Sequence, residues 1–269
     1  MRATWTAGRA CHRIAGTMQA WRPQKILSRT EHRPYPLPGG PWALFMSWHD
    51  LLFMHWRVPE GALRPLIPSA LDLDTFDGDA WLGITPFRMS GTRPRFLPSV
   101  PPLSNFPELN VRTYVTAGGR PGIWFFSLDA HNRIAVRLAR ATFSLPYYDA
   151  RMSCRVADGE VRYESVRTHR GAPGARFAGR YRPVGDPFTS RPGTLEHFLT
   201  ERYCLYSARG SVYHGDIHHH PWPLQRAEIE IESLAMTEQI GVALPEAEPL
   251  LHFSRRLDTL AWPPRRIGS

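Results

Sequence analysis

From Glu108 to Val115 the chain alternates. Leu109, Val111, Thr113 and Val115 fall on one side of an extended segment, and Glu108, Asn110, Arg112 and Tyr114 fall on the other. This period of two predicts a β-strand whose second face carries a carboxylate, an amide, a guanidinium and a phenol. Trp81 to Phe87 and Ile123 to Leu128 read as further apolar strands, and Ala227 to Ile231 alternates again late in the chain. Asp158-Gly159 stands between two alternating stretches and predicts a hairpin turn.

Helical signals are fewer. Pro59 to Pro68 reads as a short helix or pair of turns, with Pro59 suited to a first helical position. Asn132 can cap a short helix running through Ile134, Leu138 and Ala141. Leu195, Phe198, Leu199, Arg202 and Tyr206 suggest another, after the break at Arg191-Pro192-Gly193-Thr194. Residues 90–107, rich in Pro, Gly, Ser and Arg, predict a long loop. Many short strands and few helices predict a mostly β fold, either barrel or sandwich.

Composition sets the boundaries. The 269 residues, 42% of them hydrophobic, suffice for one large core. No apolar run reaches the roughly 18 residues of a membrane-spanning helix. Cys11, Cys154 and Cys204 are sparse and odd in number, which suits a reducing compartment better than a disulfide framework. Of the net charge of +9, +6 belongs to residues 1–40, where seven basic residues face only Glu31. That segment lacks a steady apolar period and ends in a Pro/Gly-rich run. It reads as a basic flexible extension, with translation from Met18 as an alternative, ahead of a folded domain over 41–269. The expected location is cytoplasmic, with no membrane partner. No nucleic-acid-binding module is evident, so none is expected as a partner either. Lys25 is the one lysine in the chain. Arginine stays protonated and cannot form a Schiff base, so this count limits the available chemistry.

Among candidate sites the Glu108/Asn110/Arg112/Tyr114 face leads. Arg112 can hold an anion bidentately, and Glu108 becomes an acid or base if burial raises its pKa. A buried Glu–Arg pair or a solvated strand face would give the same pattern. His214, Asp216, His218 and His220 share one side of an extended chain, but Gly215 and Pro221 interrupt it, so no metal site is assigned. His49 and His55 lie among Trp48, Phe53 and Trp56 and read as core histidines. No GxSxG, HExxH, P-loop or helix-opening GxGxxG occurs, and no cofactor is expected.

Several motifs in order carry a resemblance. They are Trp48-His49-Asp50-Leu51-Leu52-Phe53-Met54-His55-Trp56, Ile67-Pro68, Leu73 to Gly78, Glu108 to Val115, Gly122 to Leu128, Leu145-Pro146-Tyr147, Glu201-Arg202-Tyr203 and His220-Pro221-Trp222. From Trp48 to Trp262 the chain resembles the uncharacterised YqjF-like family, a domain of unknown function within the acetoacetate decarboxylase-like superfamily. That resemblance implies a cone-shaped, largely antiparallel β-barrel around a small cavity. It also aligns the decarboxylase's reactive stretch with Leu138 to Tyr148 here, which places Tyr147 or Tyr148 where the imine-forming lysine would stand. Arg140 and Tyr147 then join the candidate site.

The expected function is a small-molecule-binding barrel, acting as a lysine-independent enzyme on a small carboxylate or carbonyl compound. In that reading Glu108 and Tyr147 are catalytic, and Arg112, Asn110, Tyr114 and Arg140 bind the substrate. Two alternatives stay open: a non-catalytic ligand-binding or sensing protein, and a structural barrel with a polar interior. A homo-oligomer also stays open. The enzyme and binder readings both require Glu108 and Arg112 to face a cavity of roughly 300–1,000 Å³.

Overall fold

A computed structural model describes residues 23–267. Within them the strands are β1 (Leu44–Val58), β2 (Asp72–Leu73), β3 (Ala80–Pro94), β4 (Phe106–Ala117), β5 (Arg120–Ala130), β6 (Tyr147–Ala157), β7 (Glu160–Arg167), β8 (Arg176–Phe188), β9 (Cys204–Arg209), β10 (Ser211–His218), β11 (Leu224–Ala235), β12 (Leu250–Ala261) and β13 (Arg265–Arg266). The helices are short: α1 (Glu60–Leu63), α2 (Pro101–Ser104), α3 (Arg133–Phe143) and α4 (Leu195–Thr200).

The sheet closes on itself twice. One ring runs β1-β3-β4-β5-β6-β7-β8-β11-β12 and back to β1, antiparallel throughout except at β5–β6. The second ring shares β12, β1, β3, β4 and β5 and closes through β9 and β10. Two strands fork to allow this. β5 pairs with β9 at Ile123 and Trp124, then with β6 from Leu128 onward. β12 pairs with β11 at His252 and Phe253, then with β10 at Leu260 and Ala261.

Sharing leaves the common strands covered on both faces. Every residue from Glu108 to Val115 is buried, whereas β7 alternates between buried and exposed along most of its length. Leu52, Met54, Ile84, Leu109, Val111, Tyr163 and Phe177 fill the nine-strand ring. Leu51, Phe53, Phe87, Phe106, Val136 and Trp222 form a second core on the opposite face. In β1, Asp50 adopts φ 49°, and the register against β3 shifts between His49 and Met54. Arg88 pairs with the Asp50 carboxylate at 2.5 Å, and the Tyr181 hydroxyl donates to the Asp50 carbonyl at 2.8 Å, fixing this bulge.

Most local expectations match the fold. The alternating 108–115 segment lies in β4, and Asn132 caps α3 by accepting from the Ile134 and Ala135 amides. Asp158 and Gly159 both have positive φ, 51° and 80°, as a two-residue hairpin turn requires.

Three expectations change. The 90–107 loop shrinks, because β3 continues to Pro94 and Ser104 closes the remainder by donating to the Thr92 carbonyl. The helix expected to reach Tyr206 ends at Thr200, since β5 and β10 claim the 204–209 backbone for a strand. The first 22 residues of the expected extension lie outside the described residues. Residues 23–40, however, pack on the barrel. Ile26 is buried with Trp42, Phe45, Leu260 and Trp262, and Arg33 donates to the Ile217 carbonyl at 2.7 Å.

Candidate functional site

The polar face of β4 lies inside the second ring. Its neighbours on β3 follow from the register: Phe87 opposite Glu108, Thr85 opposite Asn110, and Gly83 opposite Arg112. Glycine at position 83 leaves room for the His55 and Arg112 side chains. A Cβ would come within 3.1 Å of the His55 ring and 3.3 Å of Arg112 Cγ, so the missing side chain lets both lie across the strand. The Arg112 guanidinium sits 5.1 Å from the centre of the Phe53 ring. Arg112 is only 7% exposed, yet it forms no ion pair among the described residues. A buried cation without a counter-ion is expensive and marks a place where an anion is stabilised.

His55 fixes the neighbouring end. Its Nε2 lies 2.7 Å from the Tyr114 hydroxyl, which donates its proton to the Leu199 carbonyl at 2.8 Å. His55 must then donate through Nε2, leaving Nδ1 as a bare acceptor. Burial, with Arg112 beside it, holds the imidazole well below its usual pKa, so it is neutral.

Glu108 marks the other end. The Tyr147 hydroxyl donates to Glu108 Oε2 at 3.0 Å. Burial pushes the carboxyl up to about 8, against the opposing pull of that hydrogen bond, with Asp129 adding a smaller upward push. At neutral pH Glu108 is therefore mostly protonated and able to donate. The Tyr147 phenol is driven well above its ordinary value by burial and by Glu108.

Several buried polar atoms on this face have no partner among the described residues: Thr85 Oγ1, Asn110 Oδ1, Arg112 Nε, His55 Nδ1 and Trp222 Nε1. Buried polar groups are nearly always paired, with protein or with water, so these atoms are available to a polar guest. The cover is aromatic. Trp222 stacks on Trp48 at 5.6 Å and meets Phe53 edge-on at 5.0 Å. Glu201 holds Trp222 by accepting from its backbone amide at 2.8 Å, and the Tyr203 hydroxyl donates to the same carboxylate. Motifs far apart in sequence thus meet at one tryptophan.

The chain matches the DUF2071 family, described as uncharacterized conserved proteins, over residues 45–258. It belongs to that family. A relative, the uncharacterized protein YqjF of Bacillus subtilis (strain 168), is 46% identical over 242 residues, covering 90% of this chain and 99% of YqjF. Among solved structures, the enduracididine biosynthesis enzyme MppR complexed with pyruvate superposes with a TM-score of 0.58 at 12% identity, covering 88% of this chain and 93% of that one. An acetoacetate decarboxylase gives 0.56 at 13%, covering 91% and 97%. An acetoacetate decarboxylase-like enzyme from Sphingomonas wittichii RW1 gives 0.55 at 13%, covering 88% and 98%. At these identities the likeness establishes the acetoacetate decarboxylase-like β-barrel fold.

In this DUF2071 chain the lysine deficit has a geometric form. Lys25 is exposed on the outside, its carbonyl accepting from Ser28 and contacted by His220 Nε2. Tyr147, where the resemblance led one to expect the lysine, reaches Glu108. Of the sequence-derived site residues, Glu108, Asn110, Arg112 and Tyr114 share one face, and Tyr147 joins it through Glu108. Arg140 does not. It is exposed and donates to the Tyr147 backbone carbonyl at 2.8 Å. It lines a surface groove of about 740 Å³ that includes none of the other five. Glu108 is 3% exposed, opposite Phe87 on β3, and neither it nor Arg112 lines this groove or a second one of about 430 Å³, so neither groove is the cavity expected at this face.

The histidines separate as well. His218 donates to the Ile26 carbonyl at 3.0 Å and His220 lies 3.2 Å from that of Lys25, so both tie down the N-terminal segment. His49 contacts Ser90 Oγ at 2.7 Å, beyond the Asp50 bulge from His55. Cys204, His214 and Asp216 offer ligand atoms within 4.8 Å of one another. Arg120 already binds Asp216 at 3.0 Å and His214 Nδ1 at 3.1 Å, so a guanidinium occupies the position a metal would take. Sequence reasoning missed Gly83, Thr85 and Trp222 as members of the site. Only the His220-Pro221-Trp222 motif hinted at one of them. No helix among the described residues is long and apolar enough to cross a membrane.

Proposed function

We propose that this protein binds a small carboxylate or carbonyl compound on the 108–114 face of β4 and moves a proton on it without forming an imine. The observation carrying this reading is Arg112, buried over Gly83 with no carboxylate partner among the described residues. Arg112 takes the ligand's carboxylate through two parallel hydrogen bonds. Glu108, protonated below about 8, donates to or exchanges a proton with a carbonyl-bearing carbon or oxygen. Tyr147 holds the Glu108 carboxyl in place, Asn110 stands between Glu108 and Arg112 on the strand, and Tyr114 contacts the ligand from beyond Arg112, beside His55. Glu108 and Arg112 stand four positions apart on the strand, about 13 Å between Cα atoms, so a ligand touched by both side chains has only a few carbon atoms. Arg140 meets a ligand only at the outer surface.

Pyruvate, the molecule held by the structurally similar MppR, is a suitable first probe, with acetoacetate as the longer oxo acid. Titration calorimetry is expected to show binding of at least one of them, weakened by about two orders of magnitude in Arg112→Gln. If one is turned over, Glu108→Gln abolishes turnover while affinity stays nearly intact. Equal loss of both in that variant counts against proton transfer. No binding of any small oxo acid, in a protein that unfolds cooperatively, would remove the reading. The enclosure of Glu108 supports a second reading, a ligand-binding or sensing protein that releases its guest slowly. Saturable binding without consumption of any bound compound would select it.

A further inference from the structure

The fork in β5 builds a second feature, outside the β4 site. Between Trp124, the last residue paired with β9, and Leu128, the first paired with β6, Phe125 and Ser127 pair with β4 alone, and Phe126 falls in the register shift between them. The groove of about 740 Å³ opens at this gap, bounded by α3 and the segment after it on one side and by β9 on the other. Its volume falls within the range of small-molecule pockets.

The lining has a definite chemistry. Trp124, Phe126 and Pro146 give it an apolar floor, partly open to solvent. Arg137, Arg140 and Arg209 stand around it, all exposed, and no Asp or Glu lines it. Arg140 is held at the wall by its bond to the Tyr147 carbonyl and a 3.4 Å contact with His169. Arg137 donates to the Arg133 carbonyl at 3.3 Å and reaches Asp149 at 3.9 Å, while its side chain stays 68% exposed at the groove. Guanidinium groups stay charged at any physiological pH, and three together focus a positive potential on the aromatic floor. Such a surface selects a molecule with an apolar body and one anionic head.

We propose that this groove is a separate binding site for an aromatic or medium-chain carboxylate. The anionic head pairs with Arg137 and Arg209, and the body lies on Trp124 and Phe126. The site is independent of the β4 face, because Arg112 and Glu108 take no part in it.

The test uses the full chain, with phenylacetate and decanoate as probes and phenethylamine and decylamine as their cationic counterparts. Calorimetry is expected to show saturable binding of at least one carboxylate and of neither amine. The double variant Arg137→Glu/Arg209→Glu should weaken carboxylate binding by about ten-fold or more, and Arg112→Gln should leave it unchanged. The neutral pair Arg137→Gln/Arg209→Gln repeats the measurement without charge reversal, with the urea unfolding midpoint as a check on folding. Absence of saturable carboxylate binding overturns the proposal, as does equal binding of the amines. So does indifference to both arginine pairs in folded protein. A loss caused by Arg112→Gln alone would place these ligands on the β4 face and also overturn it. Failure here leaves the pyruvate and acetoacetate titrations unaffected, so the two readings are judged separately.

Discussion

Replacing Glu108 by Gln should change how stability depends on pH. In the unfolded chain the carboxyl titrates at 4.5, whereas in the fold burial raises it to about 8. Between these values the native state holds the proton more tightly than the unfolded state does. Stability is therefore fully present below 4.5 and falls as pH rises towards about 8. The expected slope is ~1.4 kcal/mol per pH unit, which over the whole interval amounts to roughly 5 kcal/mol. Gln keeps an oxygen to accept from Tyr147 but carries no titrating proton, so the variant should lack this slope. The buried histidines work in the opposite sense. Their lowered pKa values add stability as pH rises towards 6.5, and they have little effect above it. The interval from about pH 6.5 to 8 therefore isolates Glu108. Urea unfolding followed by tryptophan fluorescence, for both proteins across pH 5–9, reads the difference directly. The wild type should lose about 2 kcal/mol relative to Glu108→Gln between pH 6.5 and 8. Parallel curves over that interval would refute a raised Glu108 pKa, and with it the reasoning that this carboxyl is an acid at neutral pH.

Tyr147→Phe removes the one hydrogen bond that favours the ionised carboxylate. Glu108 should then titrate at still higher pH, seen as a higher midpoint when its carboxyl carbon resonance is followed against pH by NMR. Gly83→Ala pushes a methyl group against His55 and Arg112 and should destabilise the fold by about 1–3 kcal/mol in urea unfolding, while weakening binding of any ligand that Arg112 holds. Asp129→Asn breaks the fully buried pair with Arg167 and should cost about 3–5 kcal/mol in urea unfolding, much more than Glu228→Gln, whose pair with Arg182 is exposed to solvent. Zinc titration followed by elemental analysis should show retention at Cys204, His214 and Asp216 only after Arg120→Ala, because the guanidinium fills the site in the native chain.

The legible parts of this fold are those in which local chemistry and tertiary environment agree. Asp158-Gly159 makes a hairpin because that turn needs positive φ at both positions. Asn132 caps α3 because its carbonyl reaches the first free amides, whatever lies around it. Tyr206 shows the opposite case. Its spacing from Leu195, Phe198 and Leu199 fits a helix, but pairing with β5 and β10 draws it into β9. Ile26 and Arg33 sit in a segment without periodicity and are nonetheless held, because Ile217 and His218 supply their partners from nearly 200 residues away. Arg140 fell near the aligned reactive stretch, yet its side chain turned outward and left the site to Tyr147.

By itself the sequence determined that β4 is a strand, that Glu108, Asn110, Arg112 and Tyr114 share one side of it, and that no lysine is available after Lys25. Those facts depend on chain geometry and composition alone. Only the tertiary structure decided that this polar side is buried rather than wet, because burial arises from two forks, in β5 and β12, that close a second ring over it. A period of two specifies which residues share a face. It carries no information about what covers that face, and here Trp48 and Trp222, far apart in the chain, close over Phe53 beside it. The cover keeps Glu108 protonated and leaves Arg112 without a counter-ion among the described residues, turning a common strand pattern into a candidate site.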